Sequence, residues 1–167
     1  MANTYKLIQT QTLASTATTL TFSSIPQTFT DLIVKWSAFA TPTNLSSASV
    51  DIYFNASGTG FTCTEMYNSS NGLQAWRPNG LVGQIPAREA TAANCFGNTE
   101  LYIPNYTLTQ NKTYIVNWSS KRNETSGAAV GLAGGLRLNT DAITSIRLNC
   151  NTFGIGSMFS LYGIKST

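Results

Sequence analysis

The sequence lacks histidine altogether and has few charged residues. Of its 167 residues, ten are Lys or Arg and seven are Asp or Glu, so charged residues make up 10% of the chain, against about 25% in typical soluble domains. Without an imidazole there is no histidine base to activate a serine or cysteine nucleophile, and Gly-x-Ser-x-Gly does not occur. No two carboxylates have a spacing that indicates a built catalytic pair. We therefore predict a protein that is not an enzyme and has no catalytic residues, with a carboxylate-pair hydrolase as the remaining enzymatic alternative.

Cysteine is also scarce. Cys63, Cys95 and Cys150 are odd in number and form no Cys-x-x-Cys pair. Without histidine they cannot build an ordinary four-ligand zinc site. We predict buried free thiols, with one disulfide and one spare thiol as the alternative, and we expect neither a metal nor a cofactor.

Long apolar runs and clustered charges are missing as well. No apolar stretch is long enough for a membrane span, and the first residues, Met1 to Lys6, lead into no signal-peptide pattern. The basic residues are scattered, and the densest window holds only the pair Lys121-Arg122, whereas nucleic-acid binding needs a clustered patch. We therefore expect no membrane or nucleic-acid partner, and synthesis in the cytoplasm without a signal peptide.

What the chain does have is strand-forming sequence with a hydroxyl- and amide-rich surface. Thr, Ser and Asn together supply 56 residues, while 42% of the chain is hydrophobic and 18 residues are aromatic, enough for a packed core. Apolar and polar residues alternate in the manner of half-buried strands. The alternation predicts eight or nine strands, at about 4–10, 19–22, 31–39, 50–54, 101–103, 113–119, 142–150 and 158–164.

This spacing of strands, with long connections, favours an all-β fold: a two-sheet β-sandwich of jelly-roll or Greek-key type, with a small closed barrel as the alternative. Helical patterning is nearly absent, and 86–94 is the best candidate for a turn or two. We find no repeat and no linker, so one domain over 1–167 is predicted. Residues 60–98 are the least regular and are interpreted as an excursion or partner-facing loop region.

The three tryptophans differ in their surroundings. Trp36 and Trp118 lie on the apolar sides of predicted strands, which favours a place in the core. Trp76 stands in the irregular segment, beside Arg77, and these two residue types often anchor protein interfaces. We therefore name Trp76 and Arg77 as candidate interface residues. The glycine-rich stretch 127–135 lacks the Gly-Lys-Ser/Thr of a phosphate loop and is interpreted as a strand packed closely against another backbone.

Three stretches carry a resemblance to a known family. They are Phe22-Ser-Ser-Ile-Pro-Gln-Thr-Phe-Thr-Asp-Leu32, then Leu101-Tyr-Ile-Pro-Asn-Tyr106 with Asn111-Lys-Thr113, and finally Ile143-Thr-Ser-Ile-Arg-Leu148 followed by Phe159-Ser-Leu-Tyr-Gly-Ile164. Their order resembles a group of small virion proteins of tailed bacteriophages, and the resemblance spans about residues 5–164. It implies a structural component of the capsid surface or of the tail-fibre apparatus.

The expectation that follows is a capsid decoration or cement protein located on the virion. It would bind the outer face of the major capsid protein, and other virion proteins, and stabilise the shell, as a homo-oligomer such as a trimer. The alternative is a tail-fibre or receptor-binding module that recognises a glycan or a protein on the host surface.

Overall fold

The computed structural model describes residues 5–41, 47–69, 72–77, 81–86, 95–120 and 129–165, and these residues form strands and turns without a helix. The candidate helical turn at 86–94 lies outside them, apart from Pro86, which ends a strand. The described residues contain twelve strands: β1 (Tyr5–Thr12), β2 (Ala17–Phe22), β3 (Asp31–Ala38), β4 (Ser47–Phe54), β5 (Phe61–Ser69), β6 (Gly72–Trp76), β7 (Leu81–Pro86), β8 (Gly97–Ile103), β9 (Lys112–Ser120), β10 (Ala129–Arg137), β11 (Ile146–Phe153) and β12 (Met158–Ile164).

The strands form two antiparallel sheets. The larger has eight strands in the order β1-β12-β3-β8-β9-β10-β5-β6, and the smaller has four in the order β2-β11-β4-β7. Early strands pair with late ones: β12 lies between β1 and β3 in one sheet, and β11 lies between β2 and β4 in the other. The predicted all-β sandwich is thus confirmed, and the nested pairing is consistent with a jelly roll.

One hydrophobic core fills the space between the sheets. Strand alternation turns every second side chain inward, and β9 shows this most regularly, since Tyr114, Val116 and Trp118 are buried between exposed neighbours. Aromatic rings join the two sheets: the ring of Phe54 on β4 lies 5.3 Å from that of Phe61 on β5. The ring of Phe153 on β11 lies 5.0 Å from that of Phe159 on β12. Such contacts add to the stability given by burial of apolar area.

The predicted excursion at 60–98 is wrong, because its described part contains the regular strands β5, β6 and β7 and the start of β8. Two features hide them in the sequence. In β5 the inward position 65 is a glutamate, which breaks the apolar pattern although the side chain is fully buried. In β6 all five residues are exposed, so no alternation of buried and exposed positions marks the strand.

The glycine-rich stretch does form a strand, β10, but its close neighbours are aromatic rings and not another backbone. A Cβ on Gly131 would lie 2.3 Å from Cε2 of Trp118, and one on Gly135 would lie 1.9 Å from Cζ of Tyr114. Both rings belong to β9, the neighbouring strand. Glycine at these positions therefore lets the β9 rings lie across β10.

The predictions for Trp36 and Trp118 are confirmed, and the prediction of buried free thiols is confirmed for Cys63 and Cys150 but is wrong for Cys95, which is free but not buried. Each of the two tryptophans is 3% exposed. All three cysteines are free; Cys63 and Cys150 are buried, while Cys95 is partly exposed. Burial raises the pKa of the Cys63 and Cys150 thiols, which disfavours the reactive thiolate.

Candidate interaction surface

Three of the carboxylates are held in structural contacts. Asp31 accepts hydrogen bonds from the Tyr102 hydroxyl at 2.8 Å and from the backbone N–H of Asn105 at 2.9 Å, so it caps a turn, as carboxylates at such positions commonly do. Glu100 forms an ion pair with Lys35, with 2.9 Å between Oε2 and Nζ. The described residues bring together no three His, Cys, Asp or Glu side chains that could hold a metal ion.

The third carboxylate, Glu65, lies inside the sandwich. Its Oε1 accepts a hydrogen bond from Nε1 of Trp118 at 2.7 Å, while its Oε2 has no hydrogen-bond partner. Burial raises the pKa of this carboxyl group, and the Trp118 hydrogen bond offsets that rise in part. Because the side chain is fully buried, the group is out of reach of a substrate in solution, and its contact with Trp118 is a feature of the core.

The outward face of the larger sheet carries an unusual set of exposed apolar side chains. They lie on four neighbouring strands, β9, β10, β5 and β6, and are between 46% and 76% exposed. Register places them side by side: Leu132 lies opposite Met66, and Val130 lies opposite Asn68, which in turn faces Leu73. We call this set the apolar face: Met66, Leu73, Ile115, Val130 and Leu132. Contiguous exposed apolar side chains of this kind mark interaction sites more often than isolated ones do.

A groove of about 540 Å³ lies on the same side of the sheet, over β12, β3, β8 and β9. Its surface includes apolar parts, such as those of Trp118 and Met158, and we call it the polar groove after the polar side chains along it. The Lys35–Glu100 ion pair lies in this groove, and the hydrogen bond with Glu100 raises the pKa of Lys35. Amide and hydroxyl side chains surround the ion pair, so the groove offers both donors and acceptors and little net charge. Its principal polar side chains are Lys35, Asn98, Glu100, Asn117, Ser160 and Tyr162.

The two residues named from the sequence lie together at the end of β6, next to the apolar face but not within it. Trp76 is 48% exposed and lies opposite Glu65 in the register, so it shares the inward side of the sheet and not the outward side of Leu73. Arg77 is exposed and lines a shallow depression of about 580 Å³, together with Thr64 and Ile115. Their role at an interface stays a prediction.

One feature of the sequence points to the apolar face, although the alternation pattern alone does not single it out. Ile115 stands on the otherwise polar side of β9, between Thr113 and Asn117, where an apolar side chain has no core to join. The other members of the apolar face lie on strands for which the sequence pattern does not show which side faces the core.

Within the described residues, no helix is long and apolar enough to cross a membrane.

Comparison with known proteins adds little. No protein-family model matches the chain, and no curated protein matches it in sequence. Among solved structures, the chain is similar to the galectin LEC-6 of Caenorhabditis elegans, with a match that covers 98% of this chain and 96% of the galectin. Sequence identity is 9% and the TM-score is 0.33, a likeness too weak to carry an inference about function.

Proposed function

We propose that the protein is a non-enzymatic structural subunit of a bacteriophage virion, a capsid decoration or cement protein that docks on the outer surface of the major capsid protein through its apolar face. The observation that carries this proposal is the contiguity of five exposed apolar side chains on one sheet face. The resemblance of the chain to small virion proteins of tailed phages supports the choice of partner. The subunit acts by binding alone, because an interface that bridges neighbouring capsid subunits makes their separation cost more.

The composition of the surface fits such a contact. Only 17 of 167 residues are charged, so attachment through apolar, amide and hydroxyl groups depends weakly on salt. Burial of an apolar side chain that starts about half exposed contributes roughly 1 kcal/mol. Five such side chains supply several kcal/mol in all, before the costs of association are subtracted.

Binding of the purified protein to particles that lack it tests the docking surface. Leu132→Asp places a carboxylate at the centre of the apolar face, and we expect the affinity to fall by about tenfold or more. The matched control is Ile155→Asp: Ile155 is 58% exposed but lies in the turn between β11 and β12, and we expect it to bind like the wild type. Equal losses in both variants would contradict the proposed face.

Heat or chaotrope treatment of particles with and without the subunit tests the stabilising role. We expect shells that carry the subunit to resist disruption at a higher temperature or denaturant concentration. Equal resistance of the two kinds of particle would contradict a cement function, even if the subunit binds.

The polar groove favours a second candidate function, a receptor-binding module for a neutral glycan on the host surface. Planar amide and carboxylate groups beside an aromatic ring suit sugar hydroxyls and sugar faces. Here they are supplied by Asn98, Asn117, Glu100 and Tyr162. A glycan array with the wild type, with Asn117→Ala and, as a control that lies outside the groove, with Trp76→Ala tests it. Binding lost in Asn117→Ala supports this candidate, and the absence of any bound glycan rejects it. The number of copies per particle separates the two candidates. Hundreds of copies would favour a capsid decoration protein, and a few copies would favour a module of the tail fibre.

A further inference from the structure

The carboxyl group of Glu65 lacks the partners that a buried charge requires. Glu65 lies on the inward side of β5 and is fully buried. Its Oε1 accepts the hydrogen bond from Trp118, whereas its Oε2 has no hydrogen-bond partner. An ionised carboxylate is strongly destabilised in an apolar core unless a cation or further hydrogen bonds compensate it, while the protonated group is tolerated far better. The closed structure therefore favours the protonated carboxyl group.

The two buried cations lie too far away to compensate a charge on Glu65. Lys112 on β9 and Arg137 on β10 lie opposite each other, and Arg137 in turn lies opposite Phe61 on β5. Phe61 precedes Glu65 by four residues, which is roughly 13 Å along a strand. Both cations are also engaged elsewhere. Arg137 donates a hydrogen bond to the carbonyl of Phe54 at 2.7 Å, and Lys112 donates to three backbone carbonyls.

The other ionisable groups on the inward side near Glu65 are a thiol and two phenols. They are Cys63, Tyr67 and Tyr114. None of them carries a positive charge in either protonation state. On β6, Trp76 lies opposite Glu65, and β7, which meets the Trp118 ring at Gly83, has the sequence Leu-Val-Gly-Gln-Ile-Pro without an ionisable side chain. Among the described residues, nothing that faces Glu65 balances a negative charge.

The hydrogen bond between Glu65 and Trp118 fastens β5 to β9 across the strand between them. That strand is β10, and its inward residues there are small: Gly131, Ala133 and Gly135. The Trp118 ring lies over Gly131, where a Cβ would come within 2.3 Å of it, and so reaches Glu65. In the order of the described strands, β5 and β6 are the last two of the larger sheet. The hydrogen bond therefore helps to hold that end of the sheet closed.

We propose that Glu65 is a proton-operated latch on the end of the larger sheet formed by β5 and β6. The protonated side chain holds β5 closed against Trp118, and its ionisation opens these two strands locally, so that the carboxylate reaches water. Opening here disrupts less packing than opening between the middle strands, because the five residues of β6 are all exposed and local openings occur where little apolar area is buried. Met66, which follows Glu65, belongs to the apolar face, so the latch makes that end of the apolar face depend on pH. The latch is a property of the chain alone and does not rest on the proposed function.

The open fraction should rise with pH. A glutamate in contact with water has its ordinary pKa of 4.5, and burial raises the pKa of Glu65 in the closed form. As the pH rises from 4.5 toward the raised pKa, the closed form keeps a proton that the open form has lost, so opening increases by up to about tenfold per pH unit. Above the raised pKa both forms are ionised, and the increase ends.

Two native cysteines report on the opening. Cys63 is buried on β5, two residues from Glu65, and Cys150 is buried on β11 of the smaller sheet. In a Cys95→Ser background, alkylation of both thiols by iodoacetamide is followed by mass spectrometry from about pH 5 to about pH 8. The thiolate fraction of an opened cysteine rises with pH alike at both positions, so the ratio of the Cys63 rate to the Cys150 rate isolates the latch.

We expect this ratio to rise several-fold with pH in the chain that carries Glu65 and to stay constant in Glu65→Gln, which keeps an acceptor for Trp118 but cannot ionise. A ratio that does not rise with pH in the Glu65 chain, or that rises equally in Glu65→Gln, would overturn the proposal. If Glu65→Gln does not fold, hydrogen exchange of the Glu65 chain decides. Exchange in Phe61–Ser69 should then gain on exchange in Asp31–Ala38 as the pH rises, and a constant ratio of the two would overturn the latch.

Discussion

Replacement of Lys112 by methionine should destabilise the protein strongly. Lys112 on β9 is 1% exposed, although lysine is among the residues least often buried. Its Nζ donates hydrogen bonds to three backbone carbonyls, of Leu108 at 2.6 Å, Gln110 at 2.5 Å and Thr140 at 3.2 Å. The ammonium group thus holds together the turn before β9 and the segment after β10.

The magnitude follows from those contacts. A hydrogen bond to a charged group contributes about 1.5–3 kcal/mol. The three carbonyls belong to exposed residues, and the carbonyl of Leu108 also accepts a hydrogen bond from the backbone N–H of Gln110, so other partners can replace part of this contribution. Methionine keeps most of the volume of the side chain but donates none of the three bonds. Because water can reach the carbonyls and replace some of these contacts, we predict that Lys112→Met lowers the free energy of unfolding by about 3–5 kcal/mol. That is a large part of the roughly 5–15 kcal/mol that stabilises a typical domain.

Urea denaturation, followed by tryptophan fluorescence, measures this loss. The matched control is Lys35→Met, which removes the exposed ion pair with Glu100 and should cost less than about 1 kcal/mol. Equal effects of the two substitutions, or a loss below about 1 kcal/mol for Lys112→Met, would refute the reasoning that the carbonyl contacts stabilise the fold.

Two further predictions concern the core. Gly131→Ala should destabilise the protein by about 1–3 kcal/mol, because the new Cβ would collide with the Trp118 ring. Gly134→Ala is the control: its Cβ position has open space around it, so this substitution should be neutral or slightly stabilising. Equal losses of stability for the two variants in urea denaturation would contradict the proposed packing. Glu65→Gln keeps an acceptor for Trp118 but removes the ionisable group. Because burial raises the pKa of Glu65 above its ordinary value of 4.5, the wild type loses stability as the pH rises from 4.5 through the raised pKa. Glu65→Gln should therefore gain stability relative to the wild type as the pH rises above 4.5, and a difference that stays constant with pH would contradict this.

The sequence predicted the core strands well because their alternation is regular. In β3, for example, Val34 and Trp36 are buried and the intervening Lys35 is exposed, as a two-residue period requires. The alternation pattern failed for strands that do not have one apolar side and one polar side. Glu65 lies on the inward side of β5, and β6 is exposed on both sides.

The candidate surface was less predictable than the fold. Met66 and Leu132 lie opposite each other but are 66 residues apart in the chain, so only strand pairing shows that they are neighbours. Trp76 and Arg77 were found by residue type, and the structure places them beside the apolar face and not at its centre. Residue type thus points to the right end of the sheet, while strand order and register define the surface.

An image of the intact particle at a resolution that shows side chains tests the central claim most directly. The account predicts many copies of this subunit on the outside of the shell, with Leu132 and Val130 buried against the major capsid protein. Copies found only at the tail, or on the shell with the apolar face turned to solvent, would contradict it.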